Sequence, residues 1–136
     1  DQAGNWLAWE TIPAAQRAIP VTLTASASST ALLLGDLAQS LRVTGNLAGR
    51  GALPAGLIAL PIVATLNGRR IGLIFLDGGG AFDARLPIVT REVFDAPGDG
   101  VLRLAFDAML YAPVAVELPV RAFAETARLV LPRVGR

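Results

Sequence analysis

The sequence predicts an all-β fold, a two-layer antiparallel sandwich of seven to eight strands, and three observations predict it. Apolar and polar residues alternate over short segments, which is the two-residue period of a half-buried strand. Turn residues rich in glycine separate these segments at roughly ten-residue spacing. The 3.6-residue period of an amphipathic helix never persists beyond three turns. A chain of 136 residues is long enough for one domain with a single core.

The first strand is predicted over Val21–Ala27, where apolar residues alternate with hydroxyl residues. The next segment, residues 29–41, is ambiguous. Ser29 suits the first position of a helix, whereas Gly35-Asp36 in the middle suits a turn. A second strand is predicted over Leu41–Leu47, again from alternation.

A central strand is predicted over Leu57–Leu66, because this segment is nearly continuously apolar. Pro61 within it cannot donate a backbone hydrogen bond, so we expect a bulge there. Asn67-Gly68 follows, and both residues accept a positive φ at low cost. This pair therefore predicts a two-residue type I′ hairpin turn, with Arg69–Leu76 as the return strand.

The rest of the chain repeats the pattern of turn and strand. Turns are predicted at Asp77–Gly80 and Asp95–Gly100. Four further strands are predicted, at Ala81–Val89, Val101–Phe106, Val114–Phe123 and Thr126–Leu131. The inward positions predict a core of Val43, Ile62, Ala64, Leu66, Phe82, Leu86, Leu104, Phe106, Val116 and Leu118.

Residues 1–20 are predicted to form an N-terminal arm, and residues 21–136 the sandwich. The arm contains both tryptophans, Trp6 and Trp9, and shows no strand alternation. The longest stretch without charge or strong polarity, Gly51–Ala64, is shorter than the roughly 20 residues of a spanning helix and is broken by Pro54 and Pro61, so no membrane span is predicted. The start at Asp1 suits a mature secreted protein and equally an excised fragment. The absence of cysteine agrees with an extracellular or cell-surface location, which is the predicted one.

Composition excludes several function classes. The chain has no cysteine and no histidine. A disulfide scaffold, a thiol nucleophile, a zinc finger and a histidine-based triad are therefore excluded. All twelve basic residues are arginine, they are scattered, and the net charge is +1. Nucleic-acid binding is not predicted, because it needs a basic patch or stripe.

Carboxylates are the remaining candidates for acid–base chemistry. Asp77 and Asp83 flank one predicted turn, and Asp95 and Asp99 flank another. Aspartate is favoured at turns for its own backbone hydrogen bonds, so no enzyme and no catalytic residue is predicted. Calcium held by Asp95, Asp99 and Asp107 is the alternative. The prediction is that the chain has no cofactor and no metal site.

Four motifs stand in an order that is known from a family. They are Gly35-Asp36 with Leu41–Leu47, Ile62–Gly68, Asp77 to Pro87, and Gly100–Phe106 with Tyr111–Pro113. This series resembles bacterial Ig-like domains of the carboxypeptidase-regulatory-like or Big type, over about residues 21–123. The resemblance implies an Ig-like sandwich that is secreted or surface-exposed. It also implies a spacer, a binding module or an assembly subunit, and seldom a catalyst.

A structural function is predicted from the apolar excess. Apolar residues make up 53% of the chain and charged residues 17%, against about 25% charged in a typical domain. Lysine, the usual protection of an exposed edge strand, is absent. We therefore expect a non-catalytic subunit of an extracellular assembly such as a filament, pilus-like fibre or surface layer, hence a homo-oligomer or polymer. The predicted interface residues are Trp6, Leu7, Trp9 and Ile12.

Two alternatives to the structural subunit remain open. In the first, the chain is a module of a larger cell-surface protein, and it binds a surface glycan or a protein ligand. In the second, it is a virion coat or decoration protein. A monodisperse monomer favours the module, and large polymers favour the subunit.

Overall fold

The structure, a computed structural model, describes residues 19–124. Within them, eight strands form two packed sheets, and two single-turn helices lie in the connections. The elements are β1 (Thr22–Ser28), β2 (Ala31–Leu34), β3 (Ala38–Ala48), α1 (Ala55–Ile58), β4 (Ile62–Leu66), β5 (Arg69–Ile74), β6 (Ala81–Val89), α2 (Thr90–Val93), β7 (Gly98–Phe106) and β8 (Val114–Ala124). The predicted all-β sandwich is confirmed. The predicted strand Thr126–Leu131 lies outside the described residues.

One sheet has three strands in the order β1-β3-β6, and the other has five in the order β2-β8-β7-β4-β5. Neighbouring strands are antiparallel, except that β2 and β8 are parallel. If β2 is treated as a continuation of β1, the division of strands is similar to that of an immunoglobulin sandwich, in which strands A, B, E and D share one sheet and C, F and G share the other. Strands β1, β3 and β6 then take the places of A, B and E, and β4, β7 and β8 those of C, F and G. The described residues have no strand in the place of D, and β5 is an additional edge strand.

The ambiguous segment after β1 forms a strand and a turn, not a helix. The chain leaves the three-stranded sheet at Ser29, whose φ is 60°, and joins the five-stranded sheet as β2. Bends at residues 35–37 then lead into β3. The four residues of β2 are too few to show an alternation, so its pairing with β8 could not be predicted locally.

The prediction of one strand over Leu57–Leu66 is wrong in its first half. Pro54 precedes the single helical turn α1, which buries Leu57, and the strand begins only at Ile62. Pro61 therefore lies just before β4 and not at a bulge within it. The register shift occurs farther along, between Ala64 and Thr65 opposite β5. The central position of β4, between β7 and β5, is confirmed.

The predicted hairpin at Asn67-Gly68 is confirmed, because both residues have positive φ (52° and 82°) between antiparallel β4 and β5. The Asn67 side chain has a second role that its turn propensity does not reveal. Its Nδ2 donates to the Val93 carbonyl at 2.7 Å, and its Oδ1 accepts from the Val101 N–H at 3.0 Å. The hairpin is thereby tied to α2 and β7.

The core lies between the two sheets and contains the predicted residues. Eight of the ten are buried, and Val116 and Leu118 on β8 are half-buried. Strand β8 lies opposite β1, the outermost strand of the narrower sheet. The three-stranded sheet therefore covers only part of the inward side of β8, which explains these two exceptions.

Thr90 is the one buried polar residue among residues 19–124. Its hydroxyl donates to the Leu33 carbonyl at 2.6 Å and accepts from the Gly35 N–H at 2.8 Å. It thereby links the end of β6 to the turn after β2. Sequence reasoning missed this link, because nothing local distinguishes Thr90 from a solvent-facing threonine.

Thr90→Val is expected to lower the free energy of unfolding by about 2 kcal/mol, because it leaves the buried Gly35 N–H without a partner, whereas the Leu33 carbonyl still accepts from Gln39 Nε2 at 2.6 Å. Thr90→Ser keeps the hydroxyl and should cost only about 1 kcal/mol for the lost methyl group. Urea denaturation of both variants measures the difference. Equal stability of the two variants would contradict a role for the hydroxyl.

Candidate interaction surface

The predicted interface residues Trp6, Leu7, Trp9 and Ile12 lie outside the described residues. The place where their segment joins the sandwich is nevertheless defined. The N–H of Ile19 donates to the Leu110 carbonyl at 2.8 Å, and the Ile19 carbonyl accepts from the Ala112 N–H at 2.9 Å. Residue 19 is therefore held against the loop between β7 and β8.

This loop belongs to one end of the sandwich, which we call the basal end. The β7–β8 loop, the residues before β4 and those after β5 meet there, because these strands are antiparallel neighbours. Nine large apolar side chains are exposed in the described part of the chain, and five of them lie at the basal end. These five are Ile19, Leu60, Phe75, Met109 and Leu110.

Leu110 is exposed in an unfavourable backbone conformation. It is 73% exposed, its φ is 72°, and it occupies the third position of a tight turn closed by the Tyr111 N–H and the Ala108 carbonyl. Glycine is favoured at such a position, and a bulky residue is strained there. Met109, beside it, is 88% exposed. Neither side chain gains much packing within residues 19–124.

The two outer faces of the sandwich differ in polarity. The outer face of the three-stranded sheet is mostly polar, as expected for a face in water. Its outward residues include Thr22, Thr24, Ser26, Ser28, Ser40, Arg42, Thr44, Asn46, Asp83 and Arg85. Arg42 binds Asp83 in a bidentate pair at 3.0 and 2.6 Å. This hydrogen bonding lowers the pKa of Asp83 and raises the pKa of Arg42.

The outer face of the five-stranded sheet, which we call the sheet face, is mainly apolar. Its outward apolar residues are exposed or half-buried, and they are Ala31, Leu33, Val63, Leu73, Val101, Ala105, Ala115, Pro119 and Phe123. The charged residues among them are Arg70, Asp99, Arg103, Glu117 and Arg121. An apolar sheet face of this kind is typical of an interaction site.

The aspartates considered for catalysis or calcium binding do not come together in one site. Asp77 accepts from the N–H groups of Gly79 and Ala81 at 2.8 and 3.0 Å, which confirms its turn role. Asp83 lies on β6 rather than in a turn. Asp99 and Asp107 lie at opposite ends of β7, roughly 27 Å apart along the strand. The calcium alternative, which needs both in one site, is therefore wrong.

A shallow depression lies at the end of the sheet face opposite the basal end. It has a volume of about 240 Å³, and its lining includes Thr30, Asp99, Pro119, Arg121 and Phe123. The Arg121 guanidinium lies 5.5 Å from the centre of the Phe123 ring and 3.2 Å from Asp99. The sequence signal for this site was weak, because β2 and β8, two of the three strands that contribute to its lining, pair only through the tertiary fold.

Within residues 19–124, no three acidic, cysteine or histidine side chains come together in a way that suits a metal ion. In the same range, no helix has the length and apolar character needed to cross a membrane. No protein-family model, curated protein or solved structure matches the chain. The resemblance to bacterial Ig-like domains therefore stays a prediction.

Proposed function

We propose that this protein is a non-catalytic structural subunit of an extracellular assembly, such as a filament, pilus-like fibre or surface layer. The observation that carries the proposal is the concentration of exposed apolar side chains at the basal end, where residue 19 is anchored. The extracellular setting follows from the resemblance to bacterial Ig-like domains, and the absence of cysteine is compatible with it.

A contact between subunits would bury the apolar side chains that the basal end exposes to water, and this burial would stabilise the assembly. Phe75, Met109 and Leu110 are 63%, 88% and 73% exposed. Fully burying a side chain of this size contributes about 1.5–3 kcal/mol. The strained turn at Leu110 presents an apolar side chain to solvent at a cost to the monomer. Strain of this kind is typical of a position that has a role in binding.

The N-terminal arm supplies the second half of the proposed contact. Residues 1–18 carry Trp6, Leu7, Trp9 and Ile12, and they join the sandwich at the basal end through Ile19. Fully extended, 18 residues reach about 60 Å, which exceeds the roughly 35 Å length of the longest strands, β3 and β8. We propose that the arm of one subunit binds a neighbouring subunit. A contact between two different surfaces passes from subunit to subunit, and it builds an open polymer when its rotation does not close a ring.

Deletion of residues 1–18 tests the proposal. We expect the truncated chain to retain its β-sheet circular dichroism and to lose polymerisation, measured by light scattering and electron microscopy. Unfolding of the truncated chain would mean that the arm belongs to its own core. Normal polymerisation would mean that the arm is not a contact. Either result would overturn the proposed role of the arm.

A matched pair of leucine variants tests the basal end. Leu110 and Leu37 are exposed to similar extents, 73% and 80%, but Leu37 lies at the opposite end. We expect Leu110→Gln to raise the concentration needed for polymerisation by about tenfold or more, and Leu37→Gln to leave it unchanged. Equal effects of the two substitutions would argue against a specific basal contact.

The depression beside Phe123 favours a second candidate function, a module that binds a glycan or a protein. An exposed aromatic ring with charged neighbours is the kind of surface that stacks on a ligand. In this case the native protein is a monodisperse monomer, and Phe123→Ala abolishes its binding to an array of surface glycans. Polymers of the native protein, with no glycan bound, would reject this candidate.

A further inference from the structure

Arg103 and Glu117 form an unused pair of opposite charges on the sheet face. They are partners in the register of β7 and β8, and both are exposed. Within residues 19–124, neither side chain makes an ion pair or a hydrogen bond. Both charges are therefore available to another molecule.

The same register pairs each outward residue of β7 with a chemical complement on β8. Next to Arg103 and Glu117, Asp99 is the partner of Arg121, Val101 of Pro119, and Ala105 of Ala115. The outward residues along β7 are therefore alternately charged and apolar. On β8, the partner of each charged residue has the opposite charge, and the partner of each apolar residue is apolar.

This pattern makes the sheet face complementary to itself. Consider a two-fold axis that runs parallel to the strands, between β7 and β8. It places β7 of one copy over β8 of the other, so that Arg103 faces Glu117 of the second copy and Val101 faces its Pro119. The rotation leaves the strand directions aligned, which is the common way for two sheets to pack face to face. We propose that the sheet face is a two-fold contact with a second copy of this chain.

The size of the face suits a weak contact. Strands β7 and β8 lie over each other along the nine residue pairs of their ladder, a flat footprint of roughly 300 Å² per partner at about 4.8 Å between strands and 3.4 Å per residue. Strands β2 and β4 add little, because β2 pairs with the end of β8 at Arg121–Ala124, whereas β4 pairs with Leu102–Ala105 of β7 and lies at a different height. A contact of this size is at the low end for specific interfaces, so we expect a weak dimer that cross-linking can capture. The opposite outer face is polar and lacks this pattern, so the contact is specific to one side of the sandwich.

This inference deepens the proposed function and rests on it for its setting. A two-fold contact closes on itself and yields a dimer, whereas the contact of the arm with a neighbour is open and propagates. The two contacts together predict an assembly built from dimers. The two contacts are tested separately. Deletion of the arm tests whether polymers form, and reversal of the Arg103 and Glu117 charges tests whether dimers form.

The test uses thiol cross-linking in the full-length chain, which has no native cysteine. Chains with Val101→Cys are mixed with chains with Pro119→Cys and treated with a short bismaleimide. A denaturing gel then shows whether two chains have been joined. We expect a strong band of two chains from this mixture and no such band from chains with Thr44→Cys, on the polar outer face.

Charge reversal then tests the specific geometry. When both cross-linking chains also carry Arg103→Glu, like charges face each other twice, and the yield should fall at least tenfold. The same loss is expected when both carry Glu117→Arg. When one chain carries Arg103→Glu and the other Glu117→Arg, opposite charges meet again, and the yield should return. Arg85→Glu in both chains, on the polar face, should change nothing.

Recovery in the mixed sample requires that both charge variants fold, so it separates loss of contact from loss of structure. If each variant is folded by circular dichroism and the mixture does not recover, the inference is overturned. It is overturned as well if the wild-type charges give no cross-link at the two positions. A cross-link that persists after deletion of residues 1–18, with polymers lost, supports both contacts.

Discussion

Phe106→Ala is expected to cost about 3–5 kcal/mol of unfolding free energy. Phe106 lies at the end of β7 and is 1% exposed, within the cluster of buried side chains between the sheets. Its removal leaves a large cavity that neighbouring strands cannot close, because both sheets hold them by backbone hydrogen bonds. A loss of this size is a large fraction of the 5–15 kcal/mol that stabilises a typical domain.

Phe75→Ala is the matched control. It removes the same side chain from a position that is 63% exposed, so the isolated subunit should lose less than about 0.5 kcal/mol. Urea denaturation at one fixed protein concentration measures both variants, since association also contributes to apparent stability. A loss below about 1 kcal/mol for Phe106→Ala would mean that the inward face of β7 is assigned backwards.

Gly45→Ala is expected to cost about 3 kcal/mol or more, the upper range for overpacking of a core. Gly45 lies in the middle of β3, the central strand of its sheet, between Ala25 and Phe82. An added Cβ meets the backbone carbonyl of Thr24, and it lies 2.5 Å from Cζ of the Phe82 ring. The ring can shift, but the carbonyl is held by the β1–β3 ladder, so the strain remains.

Gly78→Ala tests whether the effect is one of space. Gly78 lies in the turn before β6, and an added Cβ has no neighbour within 4 Å. This substitution should be neutral or slightly stabilising, because it restricts the unfolded chain. Thermal unfolding followed by circular dichroism compares the two. A Gly45→Ala protein as stable as the Gly78→Ala protein would show that β1 and β3 can separate at low cost.

The sequence predicted that the protein exposes apolar surface, but it did not predict where that surface lies. The apolar excess and the absence of lysine indicated exposed apolar surface, and the described residues have it at the basal end and on the sheet face. Met109 and Leu110 have no periodic pattern that marks them, because exposure in a loop depends on the strands around it. Arg103 and Glu117 lie on the consecutive strands β7 and β8, and the register of these strands, which the sequence does not give, makes them partners.

The sequence by itself determined the strands and turns whose signals are local. Alternation defined β1, β3, β6, β7 and β8, since neighbouring side chains of a strand point to opposite faces whatever surrounds it. Asn67-Gly68 defined its hairpin, because positive φ is a property of the residues themselves. Only the tertiary structure decided β2 and the roles of Thr90 and Gly45. Each of these depends on a partner distant in sequence. Strand β2 needs β8, the Thr90 hydroxyl needs the backbone after β2, and Gly45 is crowded by the Thr24 carbonyl and the Phe82 ring. Such partners are brought near only when the strands assemble into the two sheets.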